Sequence, residues 1–345
     1  MRRLTIEYRL AATIFLVCLA SASPLRAADP LDAVAERWLA PQDWRRDTDG
    51  PILSLGPAGS FDSEHIHAPA VALENGRYRM WYVGSEGTVA DRVFRLGLAE
   101  SDDGRTFRRH EGGPVLGFAD GRHSVLTPSI LAESDGTPIR EDGKLRLWFS
   151  GTDFHDKSGL HTLHEATSTD GVTWSEPSPA QIKHCYAPTV LKDGDTYLLW
   201  YTDVEKEWCI RHARSSDGRN WELDPEPVLR LEQPWETGRL FYPTVVKTDG
   251  LYVMWYGAYW RGQPEPKTAL GVAVSRDGRK WTRSTHNPVF RPDEGRAWES
   301  HYTTSQSVVR LADGSWRIWY ASRPKPPFTH KYFALCTAVW AGPTK

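Results

Sequence analysis

Apolar and polar residues alternate in five segments of the chain that closely resemble one another. Each segment starts with a proline or, in the last copy, a glutamine, continues through a turn, and finishes with tryptophan and a second aromatic residue. The starts are Pro69, Pro128, Pro188, Pro243 and Gln306, and the ends are Trp81-Tyr82, Trp148-Phe149, Trp200-Tyr201, Trp255-Tyr256 and Trp319-Tyr320. Alternation with a period of two predicts β-strands, and its regular recurrence predicts a repeat architecture.

A second motif, Ser-x-Asp-Gly-x-x-aromatic, follows the first in four copies, at 101–107, 168–174, 215–221 and 275–281. Asp-Gly predicts a tight turn because glycine adopts positive φ without steric cost. We therefore interpret these aspartates as turn-forming residues rather than catalytic ones. Each copy then holds four antiparallel strands, and five such units predict an all-β, five-bladed β-propeller.

The last copy stops after its third strand, and the N-terminal part of the chain offers the missing one. Residues 40–56 contain Trp44 and then Pro51-Ile52-Leu53, which resembles the outer strand of the other copies. We predict that this strand pairs with the last blade and closes the ring, which removes an open sheet edge. One propeller domain would span 40–345, with blades at about 61–117, 118–182, 183–230, 235–291 and 298–340 plus 40–56. An extended β-sandwich is the alternative, but it needs no matching orphan strand.

The first residues have the pattern of an export signal. Arg2 and Arg3 precede an apolar stretch that ends in small residues around Ala22 and Ala27. This pattern predicts a signal peptide over residues 1–27 and a secreted or periplasmic protein with no membrane segment after cleavage. An uncleaved N-terminal anchor is the alternative. The remaining cysteines, Cys185, Cys209 and Cys336, fit no metal or disulfide spacing, so we expect free buried thiols.

Composition narrows the class of partner. The chain has 345 residues with 42 Lys+Arg and 44 Asp+Glu, a net charge of −2, and no basic block. This balance disfavours nucleic acid and anionic membranes as partners. The 16 tryptophans, 13 tyrosines and 11 phenylalanines suit half-buried strands, a carbohydrate-stacking surface, or both. We expect a monomer that acts on carbohydrate.

Polar groups concentrate at one mouth of the predicted ring. Residues just before each repeat proline and just after each Trp-aromatic pair gather there. Pyranose rings stack on aromatic faces, and polar groups bind sugar hydroxyls. We predict as substrate-binding residues His65, His67, His123, His184, Tyr186, Arg239, Trp260, Glu299, His301 and Tyr302. No cofactor is expected. A metal ion held by axial histidines is the alternative to a set of satisfied buried histidines.

The repeat proline, the Trp-Tyr strand end and the Ser-x-Asp-Gly turn resemble those of the five-bladed propeller glycoside hydrolases, the superfamily that contains families 43, 62, 32, 68 and 130. The resemblance covers residues 40–345 and implies a carboxylic acid that protonates the leaving oxygen and a carboxylate that activates water or attacks directly. Those families place acids just before the repeat proline. Here the residue pairs at that place are His67-Ala68, Leu126-Thr127, Tyr186-Ala187 and Phe241-Tyr242.

We therefore predict that the catalytic carboxylates come from other mouth positions. The candidates are Glu64, Asp153, Asp203 and Glu236. Glu236 and Glu299 follow tryptophans in a phrase that Phe61-Asp62 matches, and this recurrence favours a structural role for them. Two other functions stay open, namely a non-catalytic carbohydrate-binding propeller and a lyase or metal-assisted enzyme that uses the histidines.

Overall fold

The computed structural model describes residues 30–156, 158–261, 266–324 and 332–344. The signal peptide predicted for residues 1–27 lies outside the described residues. Within them the chain forms one helix, α1 (Pro30–Leu39), and nineteen strands. In chain order the strands are β1 (Leu53–Ser54), β2 (His65–Glu74), β3 (Arg77–Ser85), β4 (Arg95–Ser101), β5 (Arg108–Arg109), β6 (Ser124–Ile130), β7 (Leu145–Thr152), β8 (His161–Ser168), β9 (Cys185–Asp193), β10 (Thr196–Asp203), β11 (Cys209–Ser215), β12 (Glu222–Leu223), β13 (Leu240–Thr248), β14 (Leu251–Arg261), β15 (Lys267–Ser275), β16 (Trp281–Arg283), β17 (Tyr302–Arg310), β18 (Trp316–Arg323) and β19 (Ala334–Trp340). The described part of the chain contains no helix long and apolar enough to cross a membrane.

Five antiparallel sheets surround a central axis, which confirms the predicted five-bladed β-propeller. In order around the ring the sheets are β2-β3-β4-β5, β6-β7-β8, β9-β10-β11-β12, β13-β14-β15-β16 and β17-β18-β19-β1. The first strand of each sheet is innermost, and together these strands line an axial cavity of about 180 Å³.

The N-terminal strand closes the ring as predicted. Leu53 pairs with Leu335 of β19, and further along the same edge Arg45 pairs with Val339. β1 thus completes the fifth sheet that the C-terminal copy leaves short. Helix α1 precedes residue 40 and packs against β14 and β15, so the ordered fold extends beyond that predicted boundary.

The second blade lacks a regular outer strand. Residues 175–183 still run along β8, because the backbone N–H groups of Ser175, Ser178 and Gln181 donate to its carbonyl groups. Pro177 and Pro179 fall within this segment. Proline has no N–H to donate, which explains why the ladder here is interrupted.

The repeated tryptophan and the repeated turn bind one another across neighbouring blades. The indole N–H of Trp81 donates to the carbonyl of Gly171, the turn glycine of the next blade, at 2.9 Å. Trp148, Trp200 and Trp319 make the equivalent bond to Gly218, Gly278 and Gly104. The turn aspartates cap backbone N–H groups, and those of Thr173 and Val172 hold the pKa of Asp170 at about 2. Both motifs are therefore architectural, as the sequence indicated.

The fifth blade has no such turn, and the N-terminal segment replaces it. Trp255 of the fourth blade donates its indole N–H to the side-chain oxygen of Gln42 at 3.0 Å. Trp44 donates to the same oxygen at 2.9 Å. Residues before β1 thus supply both the outer edge of the last blade and its contact with the preceding blade.

A β-bulge sits at the same place in every inner strand. The residue before each repeat proline, or before Gln306, has a φ of 49–53°. These residues are Ala68, Thr127, Ala187, Tyr242 and Ser305. The pairing register shifts there in all five blades. A bulge redirects side chains next to it, so alternation read from the sequence does not carry across this point.

Candidate functional site

The axial mouth is the end of the axis at which the inner strands β2, β6, β9, β13 and β17 begin. The second and third strands of each blade are joined at this end, so those connections surround the mouth. The four Asp-Gly turns lie at the opposite end. The axial cavity is lined by inner-strand residues from Ala68 and Thr127 down to Lys192 and Lys247, and so it runs from the bulges towards that opposite end.

Ten aromatic and imidazole rings form a continuous path around the axial mouth, which we call the aromatic collar. Its members, in order of contact, are Tyr302, Tyr332, His67, Phe94, Phe154, His161, Tyr186, Tyr242, Phe241 and Tyr259. Successive centroids are 4.8–6.5 Å apart. At the other end of the path, Tyr259 packs against the apolar cluster that contains Tyr302 and Tyr332. All five blades contribute to the collar.

Three tyrosines of the collar, Tyr186, Tyr242 and Tyr332, are neutral hydrogen-bonding groups. Tyr186 and Tyr242 are hydrogen-bonded through their hydroxyls. Burial raises the pKa of both, and also that of Tyr332, well above the usual value. Neutral phenols donate and accept hydrogen bonds while their rings stay apolar, a combination that suits sugar hydroxyls and sugar faces.

His161 begins β8 and lies 4.8 Å from the ring of Tyr186, centroid to centroid. Its Nδ1 is buried and has no hydrogen-bond partner. Burial lowers the pKa of His161 from 6.5 to about 4. The imidazole is therefore neutral at pH 7 and can accept a proton from a bound molecule.

His161→Gln is expected to flatten the pH dependence of stability between pH 6.5 and pH 4. The pKa of His161 is lower in the folded protein than in the unfolded chain, so the unfolded chain binds a proton first as the pH falls. The free energy of unfolding of the wild type therefore decreases as the pH is lowered through this range. The loss is about 2 kcal/mol after allowance for partial exposure. Urea unfolding at several pH values measures it for both proteins.

The matched control is His155→Gln, because His155 is exposed at the rim of the same blade. That variant should keep the wild-type profile. Parallel profiles for wild type and His161→Gln would contradict a depressed pKa at His161.

The structure brings several predicted substrate-binding residues to the collar. His67, Tyr186 and Tyr302 are members of it. His65 contacts Phe94 with centroids 5.9 Å apart, and His301 stacks on Tyr302.

Other predicted binding residues lie at the rim of the mouth. His123 is exposed, and its ring is hydrogen-bonded to the Asp120 carboxylate. His184 is half-buried, and its backbone carbonyl accepts the backbone N–H of Val204. Arg239 is exposed, with its guanidinium 4.4 Å from the ring centre of Trp208. Trp260 lies under the guanidinium of Arg291. In the described part of the chain, no group of three or more His, Cys, Asp or Glu is arranged to hold a metal ion.

The predicted catalytic carboxylates are distributed over different blades. Glu64 is half-buried just before β2 of the first blade. Asp153 directly follows β7 of the second blade and lies 2.5 Å from Nε of Arg122. Asp203 ends β10 of the third blade and lies 2.6 Å from Nε of Arg211. Asp153 directly precedes Phe154 of the collar, so it is at the rim of the mouth.

Glu236 belongs to a carboxylate-tyrosine-arginine triad that three blades repeat. Its carboxylate accepts hydrogen bonds from the Tyr256 hydroxyl at 2.7 Å and from two backbone N–H groups, and it lies 3.2 Å from Nε of Arg283. Asp62 has Tyr82 and Arg109 in the same roles. Glu299 has Tyr320 and Arg46, and burial raises its pKa. The tyrosine is the residue after the repeat tryptophan, and these contacts favour a structural role for Glu236 and Glu299.

Sequence reasoning missed Arg92, Phe94, Phe154, His161 and Tyr332 as site residues. Arg92, Phe94, Phe154 and Tyr332 lie in the connections between second and third strands. These connections differ in length and sequence between blades, so no repeat marks them. The only signal was position, since every such connection reaches the axial mouth.

No family model matches the chain. An uncharacterized protein of Mycobacterium tuberculosis (strain H37Rv) is 24% identical over 234 residues, 65% of this chain and 76% of that protein. A 1,2-beta-oligomannan phosphorylase of Thermoanaerobacter sp. (strain X514) is 22% identical over 267 residues, 74% of this chain and 84% of that enzyme.

Solved structures share the fold over most of both chains. One described as a glycoside hydrolase has a TM-score of 0.67 and 17% identity, and covers 91% of this chain and 95% of its own. Another, from work describing glycoside hydrolases of the GH130 family of mannoside phosphorylases that target beta-1,2 mannosidic linkages in Candida mannan, has a TM-score of 0.69 and 17% identity. It covers 87% of this chain and 94% of its own. Likeness at this identity establishes the five-bladed propeller fold that the sequence resemblance implied.

Proposed function

We propose that this protein is a carbohydrate-active enzyme that cleaves glycosidic bonds at the axial mouth. The observation that carries this proposal is the aromatic collar, a continuous path of rings from all five blades. Aromatic faces stack on pyranose rings, and the tyrosine hydroxyls and His161 offer hydrogen bonds to sugar hydroxyls. The phosphorylase relative and the structures described as glycoside hydrolases support the same class of substrate.

The first candidate reaction is hydrolysis with two carboxylates. Glu64, Asp153 and Asp203 all lie where inner strands begin or second strands end, which is the mouth side of their blades. In this mechanism one carboxylic acid protonates the leaving oxygen, while a carboxylate activates water or attacks the anomeric carbon. Glu236 is the weakest of the four carboxylate candidates, because both of its carboxylate oxygens already accept hydrogen bonds, one from Tyr256 and the other from the backbone.

The test is a product-detected screen of residues 28–345 on a panel of polysaccharides, with and without EDTA. We expect release of reducing sugar that the chelator does not affect. Among Glu64→Gln, Asp153→Asn and Asp203→Asn, two variants should lose at least about 100-fold in kcat, the typical contribution of a positioned acid or base.

Glu176→Gln serves as the control for this series, since Glu176 is exposed on the outer part of the second blade. It should keep full activity. Activity that persists in all three mouth variants would exclude hydrolysis by these carboxylates. Retention on polysaccharide without turnover would favour a binding protein instead.

A second candidate reaction is β-elimination, because the aromatic collar places an imidazole beside a phenol. Neutral His161 beside Tyr186 offers a base and a phenol that can donate a proton. In such a step the base removes the C5 proton of a uronate, the C4–O bond breaks, a C4=C5 bond forms, and the leaving oxygen takes a proton. Ultraviolet absorbance of the unsaturated product distinguishes it from hydrolysis.

Export through the N-terminal signal is part of the same proposal, and a polysaccharide substrate is consistent with it.

A further inference from the structure

Arg92 is half-buried, and its environment differs from that of the buried arginines. It lies in the connection between β3 and β4, two residues before Phe94 of the aromatic collar. Its guanidinium carbon is 3.9 Å from the ring centre of Phe154, and one terminal nitrogen, Nη1, donates to the carbonyl of Val89. Its Nε is buried and has no hydrogen-bond partner.

The most deeply buried guanidinium groups of the described chain are paired with carboxylates. Arg46 pairs with Glu299, and Arg317 pairs with Asp47. Arg146 pairs with Glu165 and Glu141, which raise its pKa against the opposing effect of burial. These partners repay the cost of removing a cation from water.

Arg92 has no such partner among the described residues. Burial lowers the pKa of Arg92. The Tyr186 hydroxyl acts in the opposite direction and raises it. That hydroxyl is itself neutral, because burial raises the pKa of Tyr186. His161 on the other side of Tyr186 is also neutral at pH 7. The collar therefore holds a cation at Arg92 without a fixed negative charge to balance it.

We propose that Arg92 binds the carboxylate of an acidic sugar, so that the substrate is a glycan containing uronic acid residues. The inference rests on the proposed function and names its substrate class. Nη1 donates to Val89 and Nε is buried, so Nη2 is the guanidinium nitrogen left for the ligand. A charge-assisted N–H···O bond from Nη2 suits a sugar carboxylate. Phe154 holds the guanidinium plane, and Tyr186 lies within reach of a neighbouring hydroxyl group.

The test compares acidic oligosaccharides with the same molecules after reduction of their carboxyl groups. Oligogalacturonides, oligomannuronates and glucuronate-containing oligosaccharides serve as probes, each with its reduced counterpart, in calorimetric binding and turnover assays. Wild type should bind at least one acidic form about 10- to 100-fold more tightly than its neutral counterpart, the usual worth of a charge-assisted hydrogen-bonded pair. Arg92→Gln should abolish this preference, and Arg92→Lys should restore part of it.

Arg95→Gln is the matched control. Arg95 follows in the same part of the chain but pairs with Glu86 at 3.8 Å, and its side chain is 39% exposed. This variant should keep the full preference. Circular dichroism and thermal unfolding of each variant separate lost binding from lost folding, and Arg92→Lys provides a folded reference if Arg92→Gln is unstable.

Four outcomes would overturn the inference. Equal binding of acidic and reduced forms by wild type would do so, and cleavage of neutral glycans would then leave the proposed function standing. A preference that survives Arg92→Gln would place carboxylate recognition elsewhere. Binding of inorganic phosphate that depends on Arg92, without a preference for acidic sugars, would identify a free oxyanion as the ligand. If no glycan binds or is cleaved at all, the proposed function fails together with the inference.

Discussion

Glu236→Ala is expected to lower the free energy of unfolding by about 3–5 kcal/mol. The Glu236 side chain is fully buried and is the common acceptor for Tyr256, for two backbone N–H groups and for the Arg283 guanidinium. Its removal leaves a buried phenol and a largely buried cation without their charged partner, and that loss costs more than the pair contributes. Chemical denaturation at pH 7 measures the change.

Glu232→Ala provides a control on the same arginine. Glu232 also pairs with Arg283, but its side chain is 74% exposed. Exposed ion pairs contribute about 0–1 kcal/mol, so this variant should unfold close to wild type. Turnover on the substrate found in the screen completes the comparison. A Glu236→Gln variant that keeps its stability but loses turnover would contradict the structural role and return Glu236 to the catalytic candidates.

The fold could be predicted from the sequence because its most restrictive contacts repeat. In four blades a tryptophan donates a hydrogen bond to the turn glycine of a neighbouring blade, and both residues recur at equivalent places in the sequence. Where one glycine is missing, Gln42 takes its place, and only the structure reveals that substitution. The N-terminal strand could be predicted because the last copy of the repeat stops after three strands. Its sheet therefore had an edge that another strand had to cover.

The site was harder to predict because its residues do not repeat. The collar is assembled from residues that differ between blades, for example His67 and Tyr186, which stand at equivalent positions before the repeat proline. The bulge before each repeat proline also breaks the alternation used to assign side chains to faces. Position alone indicated that His67, Tyr186 and Tyr302 lie at the mouth, since inner-strand starts must meet at the axis. Carboxylates were favoured by the family resemblance, and the structure leaves their catalytic role to experiment.

Trp38→Ala is expected to destabilise the propeller by about 3–5 kcal/mol, the range for removing a large buried aromatic side chain. Trp38 is the one residue among positions 32–39 of α1 with no exposed surface. Its ring contacts Trp255, Trp316 and Trp340 at centroid separations of 6.0, 5.2 and 5.6 Å. These tryptophans belong to the fourth and fifth blades, so Trp38 fills the seam at which the ring closes.

The measurement is urea unfolding of Trp38→Ala beside Glu36→Ala, which alters an exposed position of the same helix. The first variant should shift the midpoint strongly at an unchanged slope, and the second should not. A shift below about 1 kcal/mol for Trp38→Ala would mean that α1 is not docked in solution. The expected result instead makes α1 part of the closure, because β1 alone contributes only two paired residues to the last blade. The tryptophan cluster then supplies the apolar burial that so short a strand lacks.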